Sequence, residues 1–213
     1  MKKGFVLISS LVILYSCGNN DKKSGTGADT VKPVRTNTTP QTKKKDEATT
    51  DKQPGIINIL DTIAPKRLVL YMKDSAKTFE RISLKLGMIY GVKLAEVLKK
   101  NNLKMASPPM AWYKTQKAPY FFEAGVAVAK RPAKLPANVF VREMYQDSVT
   151  MAHFYGPYNL LNQAYDAIKE RMKEEKRKPS GMPYEVYVGD PIDANGKAVD
   201  PYKVRTDVVF PRN

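Results

Sequence analysis

Residues 147–191, DSVTMAHFYGPYNLLNQAYDAIKERMKEEKRKPSGMPYEVYVGDP, carry the pattern that decides the fold. A short strand ends in the Gly156-Pro157 turn, a basic amphipathic helix follows, and a second strand comes after Pro183. In this second strand Glu185 lies among aromatic and apolar residues, where a carboxylate is costly to bury without a partner. The stretch therefore predicts a mixed α and β fold, and a cationic ligand would be a suitable partner for Glu185.

The same order of elements occurs earlier in the chain. The best local match joins PMAWY at 109–113 to PYEVY at 183–187. Two strand-helix-strand-strand units in tandem predict an α+β fold, with two main helices packed on one or two antiparallel sheets. The predicted strands are 66–72, 110–114 and 120–130 in the first unit and 139–145, 149–154, 184–189 and 202–210 in the second, with a turn at 146–147; the predicted helices are 78–101 and 157–176.

Three short motifs carry a resemblance to a known family. They are H-x-x-G-P-Y at 153–158, Ala164-Tyr165, and P-Y-E-V-Y-x-x-D-P at 183–191. This pattern resembles the GyrI-like small-molecule-binding domain of SOUL-like fold, which is also the effector-binding domain of AraC-type and MerR-type regulators. The resemblance covers about residues 62–211. It implies a duplicated architecture with a ligand cleft near the pseudo-twofold axis, and it implies that Glu185 meets cationic or polar ligands.

Glu185 is the first candidate for a binding residue. Strand alternation places Glu185 and Tyr187 on one face, with Tyr184 and Val186 on the other. A cleft around Glu185 would disfavour the charged carboxylate until a cation arrives, and aromatic walls would add cation–π attraction. An exposed glutamate paired with one of the many lysines is the alternative.

Aromatic residues are the candidates for the walls of the cleft. Aromatics on strands more often fill a core than bind a ligand. Trp112 is the favoured one, because its place in the first unit lies close to that of Glu185 in the second. The candidates besides Tyr187 are Tyr71, Tyr90, Trp112, Tyr113, Phe122 and Tyr158.

The first 54 residues predict an exported, lipid-anchored chain. Lys2 and Lys3 precede an apolar run at 5–15, which is too short to span a bilayer as a mature helix. The run ends in LYSC at 14–17, which resembles the lipobox of bacterial lipoproteins and implies cleavage before a lipidated Cys17. Gly18 then favours the outer membrane, whereas an ordinary secretory signal is the alternative. The expected parts are a signal peptide at 1–16, a lipid-anchored disordered linker at 17–54 and a ligand-binding domain at 55–213.

The composition argues against several other classes of protein. The formal net charge is +15, but no nucleic-acid-binding motif accompanies it, so we expect a cationic surface facing anionic lipid or polysaccharide. Cys17 and His153 are the only cysteine and histidine, so neither a metal site nor a disulfide is expected. No G-x-S-x-G elbow or phosphate-binding loop occurs, and no cofactor is expected.

Three functions remain open from the sequence. The leading one is a lipid-anchored envelope protein that binds a small amphipathic, cationic molecule. The second is a metal-free hydrolase of electrophilic small molecules, with Glu185 as general acid or base and Tyr187 or Tyr113 assisting. The third is a basic envelope interaction protein that needs no small ligand. The identity of the ligand and the oligomeric state are not predicted.

Overall fold

One antiparallel sheet of eight strands forms the centre of the computed structural model, which describes residues 53–115 and 117–213. The sheet order is β1-β6-β8-β7-β3-β4-β2-β5. This arrangement confirms the expected α+β class. The strands are β1 (Ile56–Ala64), β2 (Arg67–Ala76), β3 (Met110–Tyr113), β4 (Tyr120–Val128), β5 (Phe140–Met144), β6 (Asp147–Tyr155), β7 (Tyr184–Tyr187) and β8 (Arg205–Pro211).

Two long helical segments lie between the strands, as the sequence predicts. The first runs through α1 (Phe79–Met88), a π-helical stretch (Ile89–Leu94) and α2 (Ala95–Lys100). Gly91 lies in the π-helical stretch, where low helix propensity accompanies the change in winding. The second begins with a 3₁₀ turn (Tyr158–Leu160) and continues as α3 (Asn162–Glu174). Within the described residues, no helix is long and apolar enough to cross a membrane.

The sheet order reflects the duplication of the chain. β3 and β7 pair at its centre, with Ala111 opposite Glu185. Each unit also carries a further strand at its start, which pairs with the other unit: β1 pairs with β6, and β5 pairs with β2. The sequence analysis missed β1. The strands predicted at 139–145 and 149–154 correspond to β5 and β6, which are joined at 145–146 and lie in different halves of the sheet.

Apolar side chains fill both faces of the sheet. On one face the first helical segment packs over Leu70, Phe122 and Val126, and α3 packs over Phe154 and Val208. Full burial of a large apolar side chain of this kind contributes about 1.5–3 kcal/mol, so these contacts hold the helices in place. The opposite face carries a third cluster, which includes Val69, Met110, Trp112, Tyr184 and Val209. On the helix-bearing face, a gap remains between the two helical segments, over the central pair of strands.

Candidate functional site

A cavity of about 1220 Å³ opens between the two helical segments, over the central pair of strands. The first segment, the start of α3 and the loops at 105–109 and 188–192 form its walls. Its volume exceeds the few hundred to about 1000 Å³ that a drug-sized molecule needs. Its polar lining includes one glutamate and a group of tyrosines near it: Glu185, Tyr90, Tyr113, Tyr158, Tyr165 and Tyr187.

Glu185 is a buried carboxylate held by tyrosine hydroxyls. Only 6% of the residue is exposed. Oε1 accepts a hydrogen bond of 3.0 Å from Tyr165, and Oε2 accepts one of 2.7 Å from Tyr187. Among the described residues, no lysine, arginine or histidine lies within 4 Å of this carboxylate. The alternative of an exposed glutamate paired with a lysine therefore does not apply.

The electrostatics of Glu185 follow from this burial. Removal from water raises the pKa of the carboxyl from 4.5 to about 7, and the hydrogen bonds from Tyr187 and Tyr165 act in the opposite direction. The carboxyl is thus close to half ionised at neutral pH. A cation placed beside it would favour the ionised form.

The tyrosines form a connected group around the carboxylate. The hydroxyls of Tyr113 and Tyr187 lie 2.9 Å apart, and since Tyr187 donates its proton to Glu185, Tyr113 donates to Tyr187. Tyr90 donates to the carbonyl oxygen of Met110 at 2.8 Å. Burial raises the pKa values of the Tyr90, Tyr113 and Tyr187 hydroxyls well above their usual range, so all three remain neutral donors.

The aromatic rings of these tyrosines, and not only their hydroxyls, form part of the site. The ring of Tyr187 lies 6.2 Å from that of Tyr90 and 6.1 Å, edge to face, from that of Tyr158. Rings at these distances pack against one another, so Tyr90, Tyr158 and Tyr187 form one aromatic group in the lining of the cavity.

The charge of the cavity is opposite to that of the chain. The chain contains 36 lysine and arginine residues, yet none is among the described residues that line this cavity. The charged side chains that line it are the carboxylates of Glu185 and Asp190. Exposed apolar side chains stand around its walls, among them Leu84, Met105 and Ile192. The arrangement suits a molecule that is apolar over most of its surface and neutral or positively charged.

The structure brings five of the predicted site residues together and leaves three apart. Tyr90, Tyr113, Tyr158, Glu185 and Tyr187 line the cavity, whereas Trp112, Tyr71 and Phe122 do not.

The three residues that lie apart have physical reasons for their places. Trp112 and Tyr71 belong to the opposite face, where the Arg142 guanidinium stands 4.8 Å and 4.6 Å from their ring centroids. Ala111 pairs with Glu185 on the face that bears the helices. Trp112, the favoured candidate, is the next residue along β3, so its side chain points to the other face. Phe122 is on the helix-bearing face, but only 1% of it is exposed because it fills the core.

The sequence analysis did not place Tyr165 in the site. Its hydroxyl reaches Glu185 from α3, although it belongs to the buried stripe of that helix. The signal that could have found it was the Ala164-Tyr165 motif, which counted only toward the family resemblance. Asp190 was also not predicted as a lining residue.

Other ionisable residues have partners elsewhere. Glu123 is buried and accepts from Arg142 and Lys114, and His153 Nδ1 lies 2.7 Å from Asp207. In the described part of the chain, no group of three histidine, cysteine or acidic residues is placed to hold a metal ion.

Comparison with known proteins gives matches by structure. By sequence, no family model and no curated protein matches the chain. EcmrR in its complex with DNA matches with a TM-score of 0.63 and 18% identity over 74% of this chain and 57% of that one. The crystal structure of the EcmrR C-terminal domain matches with a TM-score of 0.61 and 18% identity over 74% of this chain and 98% of that one. A hydrolase from Listeria innocua matches with a TM-score of 0.50 and 10% identity, over 76% and 93% of the two chains.

These matches establish the fold. The chain shares the architecture of the EcmrR C-terminal domain, and it spans just over half of the EcmrR chain seen with DNA.

Proposed function

We propose that this protein is a GyrI-like, lipid-anchored envelope protein that binds a small amphipathic cation in the cavity around Glu185. One observation carries the proposal: among the described residues, the buried Glu185 carboxylate has only tyrosine partners, in a cavity that no described lysine or arginine lines. The chain has a formal charge of +15, yet the described lining of this cavity contains none of its basic side chains. The sequence motifs and the fold shared with the EcmrR C-terminal domain support the family.

The cavity offers a cation two kinds of attraction. The ionised Glu185 supplies a charge partner that is screened little because water is largely excluded. Each well-placed tyrosine ring adds about 0.5–2 kcal/mol through cation–π attraction. The apolar walls take up the rest of the ligand, and each Å² removed from water contributes about 25 cal/mol. A ligand with one positive charge and an aromatic or aliphatic body would use all three.

The proposed anchor rests on the sequence at 1–17, which lies outside the described residues. A lipidated Cys17 followed by a linker of roughly 37 residues would let the domain range over several nanometres from the membrane. Binding there would sequester or sense a toxic compound in the envelope. Labelling of cells with an alkyne fatty acid tests this step. The native chain should carry the label and Cys17→Ser should not, and an unlabelled native chain would refute the anchor.

A thermal-shift screen tests the binding function. Aromatic cations such as ethidium, and neutral aromatics of similar size, are added to the full chain carrying Cys17→Ser. Ligands that bind the folded state raise the melting temperature by mass action. Cations should stabilise this chain and lose most of that effect when Glu185→Gln is added. Glu170→Gln, on the exposed surface of α3, is the matched control and should behave like the parent chain. Shifts that ignore Glu185 would refute the proposal.

A hydrolase is the second candidate, and the raised pKa of Glu185 favours it. A carboxyl with a pKa of about 7 can exchange a proton at neutral pH, and the Tyr113–Tyr187 pair could stabilise a developing negative charge. The hydrolase from Listeria innocua has the same fold. Each compound found in the screen is therefore incubated with the protein and analysed by mass spectrometry. If the compound is hydrolysed and Glu185→Gln abolishes the hydrolysis, the protein is a hydrolase. If the compound is recovered unchanged, the protein is a binding protein.

A further inference from the structure

A second cavity, of about 930 Å³, lies between the end of the first helical segment and the loop at 130–139. It shares no lining residue with the cavity around Glu185. Lys93 and Lys100 project from the helical side, and Lys130, Arg131 and Lys134 come from the loop. The two cavities therefore have opposite charge.

The positive charge of this second cavity is only partly compensated. Glu96 is the acidic residue in its lining, and it pairs with Lys100 at 2.6 Å. Glu143, which does not line the cavity, lies 3.8 Å from Arg131. Among the described residues, no carboxylate lies within 4 Å of Lys93, Lys130 or Lys134. A concave surface with uncompensated charges of one sign concentrates counter-ions. The cavity is thus suited to an anion.

The floor of the second cavity is apolar. Met72 and Val97 are each 4% exposed and Val139 is 6% exposed, and all three line the cavity. Leu135 stands at its edge with 37% of its surface exposed. A simple inorganic ion would leave this apolar surface uncovered. The combination of basic walls and an apolar floor matches a molecule that has both a charged and an apolar part.

The loop that forms one wall is held in place. The Asn101 side chain donates from Nδ2 to the Lys134 carbonyl oxygen at 3.1 Å and accepts at Oδ1 from the Lys134 amide at 3.3 Å. The Val139 amide donates to the Pro136 carbonyl oxygen at 3.0 Å, and Pro132 and Pro136 restrict the backbone between them. Because this wall is already ordered, a ligand does not have to order it on binding, and the entropic cost of binding is lower.

We infer that the second cavity binds an anionic amphiphile, a molecule with a phosphate or carboxylate head and an apolar tail. Lys130, Arg131 and Lys134 hold the head, with the Arg131 guanidinium offering two parallel donors. The tail lies mainly on Leu135, with the nearly covered side chains of Met72, Val97 and Val139 at the base of the cavity. This binding is independent of the function proposed for Glu185.

Calorimetric titration with monomeric dodecyl phosphate tests this inference. The full chain is used with Cys17→Ser, so that no lipid of its own competes. Lys130→Gln with Lys134→Gln should weaken binding about 10- to 100-fold, because each lost contact to the anion is worth roughly 0.5–1 in log Kd. The matched control is Lys169→Gln with Lys173→Gln, which removes the same charge from the surface of α3 and should change Kd less than about twofold. Inorganic phosphate should bind about 100-fold more weakly than dodecyl phosphate, since it cannot cover the floor.

Four results would overturn the inference. Equal weakening by both pairs of substitutions would show a general effect of net charge. Equal affinity for inorganic phosphate and dodecyl phosphate would show that the apolar floor of the cavity contributes nothing to binding. Binding to phosphatidylglycerol vesicles but not to the monomer would indicate a membrane surface contact instead. Loss of dodecyl phosphate binding in Glu185→Gln would place the amphiphile in the other cavity. The first three results would not bear on ethidium binding at Glu185, so the two proposals can fail separately. The fourth would also count against a cation as the ligand of the cavity around Glu185.

Discussion

Tyr113 and Tyr187 hold matching positions in the two halves of the chain, and their hydroxyls lie 2.9 Å apart over the central pair of strands. Beneath them the two halves differ, because Ala111 stands opposite Glu185. The small alanine leaves the space that a second long side chain would fill. A single carboxylate therefore serves a cavity that both halves enclose, and the following expectations depend on that carboxylate.

The affinity for a permanent cation is expected to depend on pH through Glu185. The pKa of this carboxyl is about 7 without ligand, and only its ionised form attracts the cation. Ethidium binding should therefore weaken about tenfold per pH unit below pH 6 and reach a plateau above about pH 8. Fluorescence titration from pH 5 to pH 9 measures this profile. Glu185→Gln should give an affinity that does not change with pH. A pH-independent affinity in the protein that keeps Glu185 would show that this carboxylate takes no part in binding.

The same carboxyl is expected to destabilise the fold at high pH. Its pKa is raised in the folded state to about 7 from 4.5, so its contribution to stability is full below pH 4.5 and is lost as pH rises through 7. The loss amounts to about 3 kcal/mol at 1.36 kcal/mol per pKa unit. Glu185→Gln should thus stabilise the protein more at pH 8 than at pH 5, as measured by urea denaturation. Glu170→Gln is the control, and a pH-independent difference for Glu185→Gln would contradict the raised pKa.

Tyr187→Phe is expected to move the pH profile of ethidium binding upward. The hydroxyl donates directly to Glu185 and lowers the pKa of the carboxyl, so its loss should raise the midpoint by about one pH unit. Tyr113→Phe should have a smaller effect, since Tyr113 reaches the carboxylate only through Tyr187. Tyr184→Phe, on the opposite face, is the control. Equal shifts in all three variants would show that the order of the hydrogen bonds is not as described.

At Gly87, alanine is expected to stabilise the fold, whereas tryptophan is expected to keep the fold and block ligand binding. A Cβ atom there would meet nothing within 4 Å, and the residue lies in α1 at the wall of the cavity. Gly87→Ala should stabilise the helix by about 0.5–1 kcal/mol in urea denaturation. Gly87→Trp should keep the fold and weaken ethidium binding by about tenfold or more, because the ring occupies the cavity. Met88→Trp is the matched control, since Met88 is exposed and does not line the cavity. Undiminished binding in Gly87→Trp would place the ligand elsewhere.

Much of the fold could be predicted because its signals are local. The apolar periodicity at 78–101 and 157–176 predicts both helical segments, and the alternation at 184–187 places Glu185 and Tyr187 on one face. β1 was missed because its side chains are mostly half-buried or exposed, which leaves a weak alternation at the edge of the sheet. Trp112 was favoured because it lies close to the place of Glu185. The match of 109–113 to 183–187 puts Ala111 at that place, and strand alternation puts Trp112 on the face opposite to Tyr113.

The sequence by itself determined which residues alternate on each strand and which carboxylates stand among aromatics, because both follow from the order of side chains along the chain. Only the family resemblance favoured Glu185 over Glu123 for the site, because by side-chain order alone each lies on an apolar strand rich in aromatics. Only the tertiary structure decided that Arg142 and Lys114 neutralise Glu123, whereas Tyr165 and Tyr187 are the hydrogen-bond partners of Glu185. The physical reason is that a buried charge takes its partner from neighbouring strands and helices. Which groups stand there is set by register and packing.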